Sequence, residues 1–165
     1  MNYVLIGMPG SGKSTMGVLL AKYIGYGFVD CDLMIQSREK RLLSEIIEFE
    51  GVERFIEIEN DVLSCLCVDR CIIATGGSAV YGEEAMAHLK ENGTVIYLKI
   101  SYDEMVKRVF SDYRTRGVAL RGGQSPREMY EDRCILYDKY ADIVIDESNL
   151  TLEETLQKTL LKIRE

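Results

Sequence analysis

Residues 3–14 constrain this chain more than any other stretch. They read YVLIGMPGSGKS, an apolar run of strand length that passes directly into Gly7-x-x-x-x-Gly12-Lys13-Ser14. A short apolar run ending at glycine reads as a buried strand. Residues 13–25 then place Met16, Leu19, Leu20, Tyr23 and Ile24 at helical spacing, stopped by Gly25. A glycine-rich turn between a strand and a helix lets the backbone wrap tightly, so that successive N–H groups and the positive end of the helix cradle phosphate oxygens. In that pattern the lysine, Lys13, reaches the β- and γ-phosphates and the hydroxyl of Ser14 ligates Mg²⁺. Gly10, Ser11, Gly12 and Thr15 complete the expected nucleotide cradle, and ATP with Mg²⁺ is the expected cofactor pair.

The rest of the chain repeats the alternation. Strands are predicted at 28–30, 71–77, 95–100 and 141–146. Helices are predicted at 33–50, 52–67, 82–91, after Ser101, at 125–140 with Pro126 in the first turn, and at 151–164. Residues 111–124 (SDYRTRGVALRGGQ) are polar, rich in arginine and glycine, and without a sustained period. Strands alternating with helices imply an α/β fold with a parallel sheet covered on both faces. Ligands of such sheets bind beyond the carboxyl ends of the strands. Gly7 to Ser14, then Asp30 and Asp32, then Gly76 to Ser78 all fall there. The length of 165 residues suits one domain spanning 1–165.

Composition removes several function classes. The formal net charge of −7 argues against nucleic-acid or anionic-membrane partners, which need a basic face. An anionic substrate must then be held by a few local cations. No apolar run approaches the roughly 20 residues of a membrane span. The start of the chain lacks a basic region and puts glycines where a signal peptide would be cleaved, so a cytoplasmic protein is expected, and a monomer. Cys65, Cys67 and Cys71 lack the paired spacing of a zinc site and read as reduced thiols. His88, the one histidine, reads as a surface or boundary residue of a helix.

A phosphate loop does not by itself separate kinases from GTPases or motors. The chain has no N-K-x-D for guanine, no run of four apolar residues ending in aspartate, and no room for coupling domains. It has Asp30-x-Asp32 at the end of the second strand. One carboxylate there can hold a Mg²⁺-bound water while the other takes a proton from an attacking hydroxyl. The competing reading is a helix cap made by Asp32.

These motifs together resemble the shikimate kinase family over nearly the whole chain. F-V-D-x-D at 28–32, E-x-E-G at 48–51, F-x-x-x-E at 55–59, A-T-G-G at 74–77, P-R-E at 126–128, D-R-x-x-L-Y at 132–137 and A-D at 141–142 follow the family's order. The resemblance implies a five-stranded parallel sheet of the P-loop NTPase fold and a mobile lid at about 111–124. It implies that Asp32 binds substrate and acts as base, while Asp30 and Ser14 serve Mg²⁺. Gly76 and Gly77 would offer backbone to the substrate, and Arg133 would grip its carboxylate. Arg116 would stabilise charge on the transferring phosphoryl group, and Arg108 would lie near adenine.

The chain departs from the family pattern on the acceptor side. Ile56 stands where F-R-x-x-E carries a carboxylate-binding arginine, Ser78 replaces the last glycine of G-G-G, and the lid's R-P-L-L reads Arg116-Gly117-Val118-Ala119. Three readings follow. One is phosphorylation of shikimate, with Arg133 and Arg121 or Arg127 holding the carboxylate. Another is a related kinase for a sugar acid or hydroxy amino acid, with Ile56 lining an apolar wall. The third is a nucleotide-binding regulatory domain without turnover.

Overall fold

A computed structural model describes residues 1–109 and 118–164. Five strands form one wholly parallel sheet in the order β2-β3-β1-β4-β5: β1 Asn2–Ile6, β2 Gly27–Asp30, β3 Cys71–Ala74, β4 Gly93–Lys99 and β5 Ile143–Asp146. The helices are α1 Lys13–Ile24, α2 Cys31–Glu39, α3 Leu43–Glu50, α4 Val52–Ser64, α5 Glu83–Asn92, α6 Tyr102–Val109, α7 Pro126–Tyr140 and α8 Leu152–Lys162. Among the described residues, none is long and apolar enough to cross a membrane.

The continuous apolar reading of β1 has a simple cause. Side chains alternate across a strand, and both faces of this sheet are covered. Val4 and Ile6 enter a core with Ile73, Tyr97, Leu63, Met86 and Tyr137, while Tyr3 and Leu5 enter another with Met16, Leu20, Ile96 and Leu156. A third apolar cluster lies off the sheet, where Ile35, Leu43, Ile46, Phe55 and Ile58 of α2, α3 and α4 pack with Ala119. Ile56 is buried but belongs to none of these clusters.

The topology sets the site. The chain leaves β1, makes the edge strand β2, returns to β3 beside β1, and crosses to β4 on the other side of β1. The carboxyl end of β1 is therefore the switch point, where crossovers leave in opposite directions and a crevice opens. The register pairs Asp30 with Ala74, which sets the Asp30-x-Asp32 segment beside the Thr75–Ser78 loop.

Two features differ from the sequence expectation. The helix expected over 33–50 is two helices, α2 and α3, broken at Lys40, which adopts φ 54°. No glycine or proline marks that break; the Glu45 carboxylate instead accepts from the Leu42 N–H at 2.7 Å and opens α3. The strand expected over 71–77 ends at Ala74, and a 3₁₀ turn follows at Ala79–Tyr81. Helix α7 starts as expected at Pro126, with Ser125 and Glu128 capping each other reciprocally.

Candidate active site

The phosphate loop is shaped by its glycines. Gly10 and Gly12 sit at φ 80° and 81°, a region that residues with a Cβ rarely occupy. A Cβ on Gly10 would come within 2.9 Å of Val109. Lys13 is almost fully buried, and its Nζ donates to the Gly7 and Met8 carbonyls, each at 2.8 Å, and to Ser11 Oγ at 3.4 Å. Burial lowers its pKa to about 8, opposed by the nearby Asp32 carboxylate. Arriving phosphate would favour the charged ammonium again.

Ser14 Oγ donates to Asp30 Oδ2 at 2.7 Å. The other oxygen of Asp30, Oδ1, accepts from the N–H groups of Asp32 and Leu33 and caps α2. The capping residue is therefore Asp30, and the reading of Asp32 as the cap is corrected. Relieved of that task, Asp32 presents a buried Oδ1 with no hydrogen-bond partner among the described residues. Burial raises its pKa to about 6, with Asp30 adding repulsion and Lys13 opposing it.

A cavity of about 480 Å³ joins these groups. Of the expected site residues, Gly10, Gly12, Lys13, Ser14, Thr15, Asp30, Asp32, Gly76, Gly77 and Arg133 line it. Ser11 lies behind the loop, buried under Lys13. Arg108 faces a separate cavity of about 390 Å³ with Glu104, Glu147, Ser148 and Asn149. It donates to the Gly10 carbonyl at 3.1 Å and to Glu104 at 2.8 Å, so it braces the phosphate loop from the opposite side. Arg116 lies outside the described residues, as do 111–117 of the expected lid; Val118 and Ala119, which follow, line the main cavity.

Arg133 is 1% exposed and is held by three groups. Its Nη2 donates to the Ala119 carbonyl at 2.5 Å, its Nε reaches Tyr81 Oη at 3.5 Å, and its guanidinium lies 5.3 Å from the Tyr81 ring centroid. Tyr137 fixes the neighbouring loop by donating to the Gly77 carbonyl at 2.6 Å. Three other arginines, Arg121 and Arg127 of the sequence reading among them, are engaged elsewhere. Arg121 stacks on Tyr81 at 4.2 Å and pairs with Glu53, Arg127 pairs with Glu131 and lies over Tyr102, and Arg54 pairs with Glu50 and Glu57. None of the three lines the main cavity.

Sequence reasoning did not assign Glu59 to the site. It is 1% exposed, accepts from Ser78 Oγ at 2.5 Å, and leaves Oε1 without a partner among the described residues. Burial raises its pKa to about 7, against the lowering effect of the Ser78 hydrogen bond. Its signal was the F-x-x-x-E spacing, which places Glu59 one helical turn from Phe55, itself part of the cavity wall.

The donor set suits a small hard cation. Ser14 and Asp30 offer two oxygens beside a phosphate cradle, which is what Mg²⁺ accepts when it keeps several waters and takes phosphate oxygens.

Comparison with known proteins agrees with this geometry. The pattern that defines the family described as "Shikimate kinase" matches residues 9–164. A shikimate kinase of Alkaliphilus oremlandii is 34% identical over 98% of both chains. The shikimate kinase of Acinetobacter baumannii, solved in complex with shikimate, superposes with TM-score 0.85 at 28% identity, covering 99% of this chain and 92% of that one. The Aquifex aeolicus enzyme superposes with TM-score 0.83 at 30% identity, covering 99% and 96%. The chain belongs to the shikimate kinase family and is an ATP-dependent phosphotransferase with an alcohol group as acceptor.

Proposed function

We propose that this enzyme transfers the γ-phosphoryl group of ATP, with Mg²⁺, to a ring hydroxyl of shikimate, giving shikimate 3-phosphate. The observation that carries the reading is the free Oδ1 of Asp32, which shares one cavity with Lys13 and Arg133. Gly10, Gly12 and Thr15 hold the phosphates through backbone N–H groups, and Lys13 neutralises charge on the β- and γ-oxygens. Ser14 and Asp30 would hold the metal ion, which would supply neutralisation of phosphate charge. Asp32 Oδ1 accepts the proton of the attacking hydroxyl while that oxygen bonds to the γ-phosphorus and the bond to the ADP oxygen breaks. Gly76 and Gly77 leave room for the acceptor to approach the backbone, and Arg133 holds its carboxylate. Arg116 stabilises the transferring group and Arg108 flanks the adenine.

On this reading residues 1–165 form one kinase domain with a lid at about 111–124, working in the cytoplasm as a monomer and without nucleic-acid or membrane partners. One observation favours a second acceptor, another small hydroxy acid: Ile56 stands where the family pattern has arginine. The test is steady-state turnover of shikimate, with sugar acids and hydroxy amino acids alongside. ADP release with formation of shikimate 3-phosphate is expected. Turnover of another acid without any turnover of shikimate overturns the choice of acceptor.

A further inference from the structure

Two departures from the family pattern meet at one side chain. Positions 56 and 59 of α4 are three apart and so are neighbours on one helix face. An arginine at 56 would stand beside Glu59; Ile56 offers it no donor. Ser78, where the pattern has glycine, supplies one: its Oγ donates to Glu59 Oε2 at 2.5 Å from the loop after β3. With Oε2 held, Oε1 is directed elsewhere and has no partner, and the same is true of Asp32 Oδ1.

These two oxygens converge. A Cβ built on Gly76 would lie 2.5 Å from Glu59 Oε1 and 2.8 Å from Asp32 Oδ1. Asp32, Gly76 and Ser78 line the main cavity and Glu59 does not, so the two oxygens lie near each other at the cavity wall, that of Glu59 from the layer just behind it. Two buried acceptor oxygens beside the same glycine call for a donor that both can reach. A hydroxyl group has the polarity for it, whereas a carboxylate there would meet like charge on two sides.

We propose that Ser78 is a positioning residue that fixes Glu59 as a second hydroxyl-accepting carboxylate beside Asp32. The acceptor is then recognised more through its hydroxyls, and less through its carboxylate, than in a pocket with arginine at 56. The inference rests on the acceptor being the polyhydroxylated acid proposed above.

The experiment is steady-state kinetics of the wild type, S78A, S78G and the double variant S78G/I56R, on shikimate and on its methyl ester. S78A raises the acceptor KM about tenfold, the size of one lost hydrogen bond to a charged group. The rise is similar on acid and ester, because the lost partner serves a hydroxyl, and the KM for ATP stays within about twofold. In the S78G background, I56R recovers most of the loss on the acid, since an arginine one turn before Glu59 gives it a donor again, and it increases discrimination against the ester. An unchanged acceptor KM in a folded S78A, or equal damage to the KM values of acceptor and ATP, overturns the proposal. The S78A comparison decides the matter even where I56R fails to fold. No turnover of shikimate by the wild type overturns this inference together with the function proposed above. Normal turnover with an unaffected S78A overturns this inference alone.

Discussion

The two halves of the cavity are built from different materials. On the nucleotide side the shape comes from the backbone: glycines at positive φ, a helix N-terminus, and a lysine folded onto the carbonyls of its own loop. On the proposed acceptor side it comes from side chains carried by separate elements, with Asp32 from α2, Ser78 from the loop after β3 backed by Glu59 of α4, and Arg133 from α7. A backbone cradle tolerates few changes, because a Cβ in the wrong place strains the chain or fills the site. A side-chain site can exchange one donor for another, as Ser78 for an arginine, while the fold stays the same. The departures from the family pattern at 56 and 78 fall on the exchangeable half.

The largest effects should come from the charges that both halves bring to the reacting groups. Asp32→Asn is expected to lower kcat by about 10²–10⁴-fold, the usual range for removing a general base, and Lys13→Ala to be at least as damaging. Thermal unfolding should be little changed in Asp32→Asn. Near-normal kcat in either variant would mean that the cavity does not carry out the chemistry assigned to it.

An intermediate effect should separate the halves. Gly76→Ala puts a methyl group 2.5 Å from Glu59 Oε1 and 2.8 Å from Asp32 Oδ1, so both carboxylates must shift. The acceptor KM is expected to rise about 10- to 100-fold, as for one or two lost hydrogen bonds to charged groups. ATP affinity, measured by calorimetry, should hold. Equal weakening of both ligands would show that the halves are not independent.

The smallest effect is on stability and depends on pH. Glu59 has a folded pKa raised to about 7, against 4.5 for an ordinary glutamate. Below about pH 4.5 it is protonated in both folded and unfolded chains and costs nothing. As pH rises toward 7 the unfolded chain releases its proton first, so wild-type stability falls across that window and levels off above it. Glu59→Gln does not titrate. Its stability relative to wild type should therefore grow by roughly 2 kcal/mol between pH 5 and pH 8. Parallel pH dependences in denaturant melts would show that the Glu59 carboxylate is not held in the environment described.

The same division decides what could be read from the sequence. The P-loop and the five strands were legible because each is a local pattern, an apolar run with both faces covered or a glycine spacing fixed by backbone geometry. The break at Lys40 was not, because a left-handed lysine leaves no mark of the kind glycine or proline leaves. Asp30 and Asp32 were recognised as a pair, but which one caps α2 depends on side-chain direction rather than spacing. Glu59 and Ser78 lie 19 residues apart and meet only in three dimensions. Arg54 and Arg127 pair with glutamates one helical turn away, whereas Arg121 pairs with Glu53 from a distant part of the chain, and a count of arginines could not rank them.

Asp30 holds Ser14 with one oxygen and the first turn of α2 with the other, and that turn carries Asp32. Replacing Asp30 would therefore not be a clean deletion of the proposed cation ligand: it would also release the start of the helix that carries Asp32, the proposed proton acceptor. A larger ion that draws the carboxylate toward itself would pull on the same peptide N–H groups and re-aim Asp32. Sensitivity to the identity of the cation and accuracy in aiming the proton acceptor then become a single mechanical property of this enzyme, set by the stiffness of one short side chain.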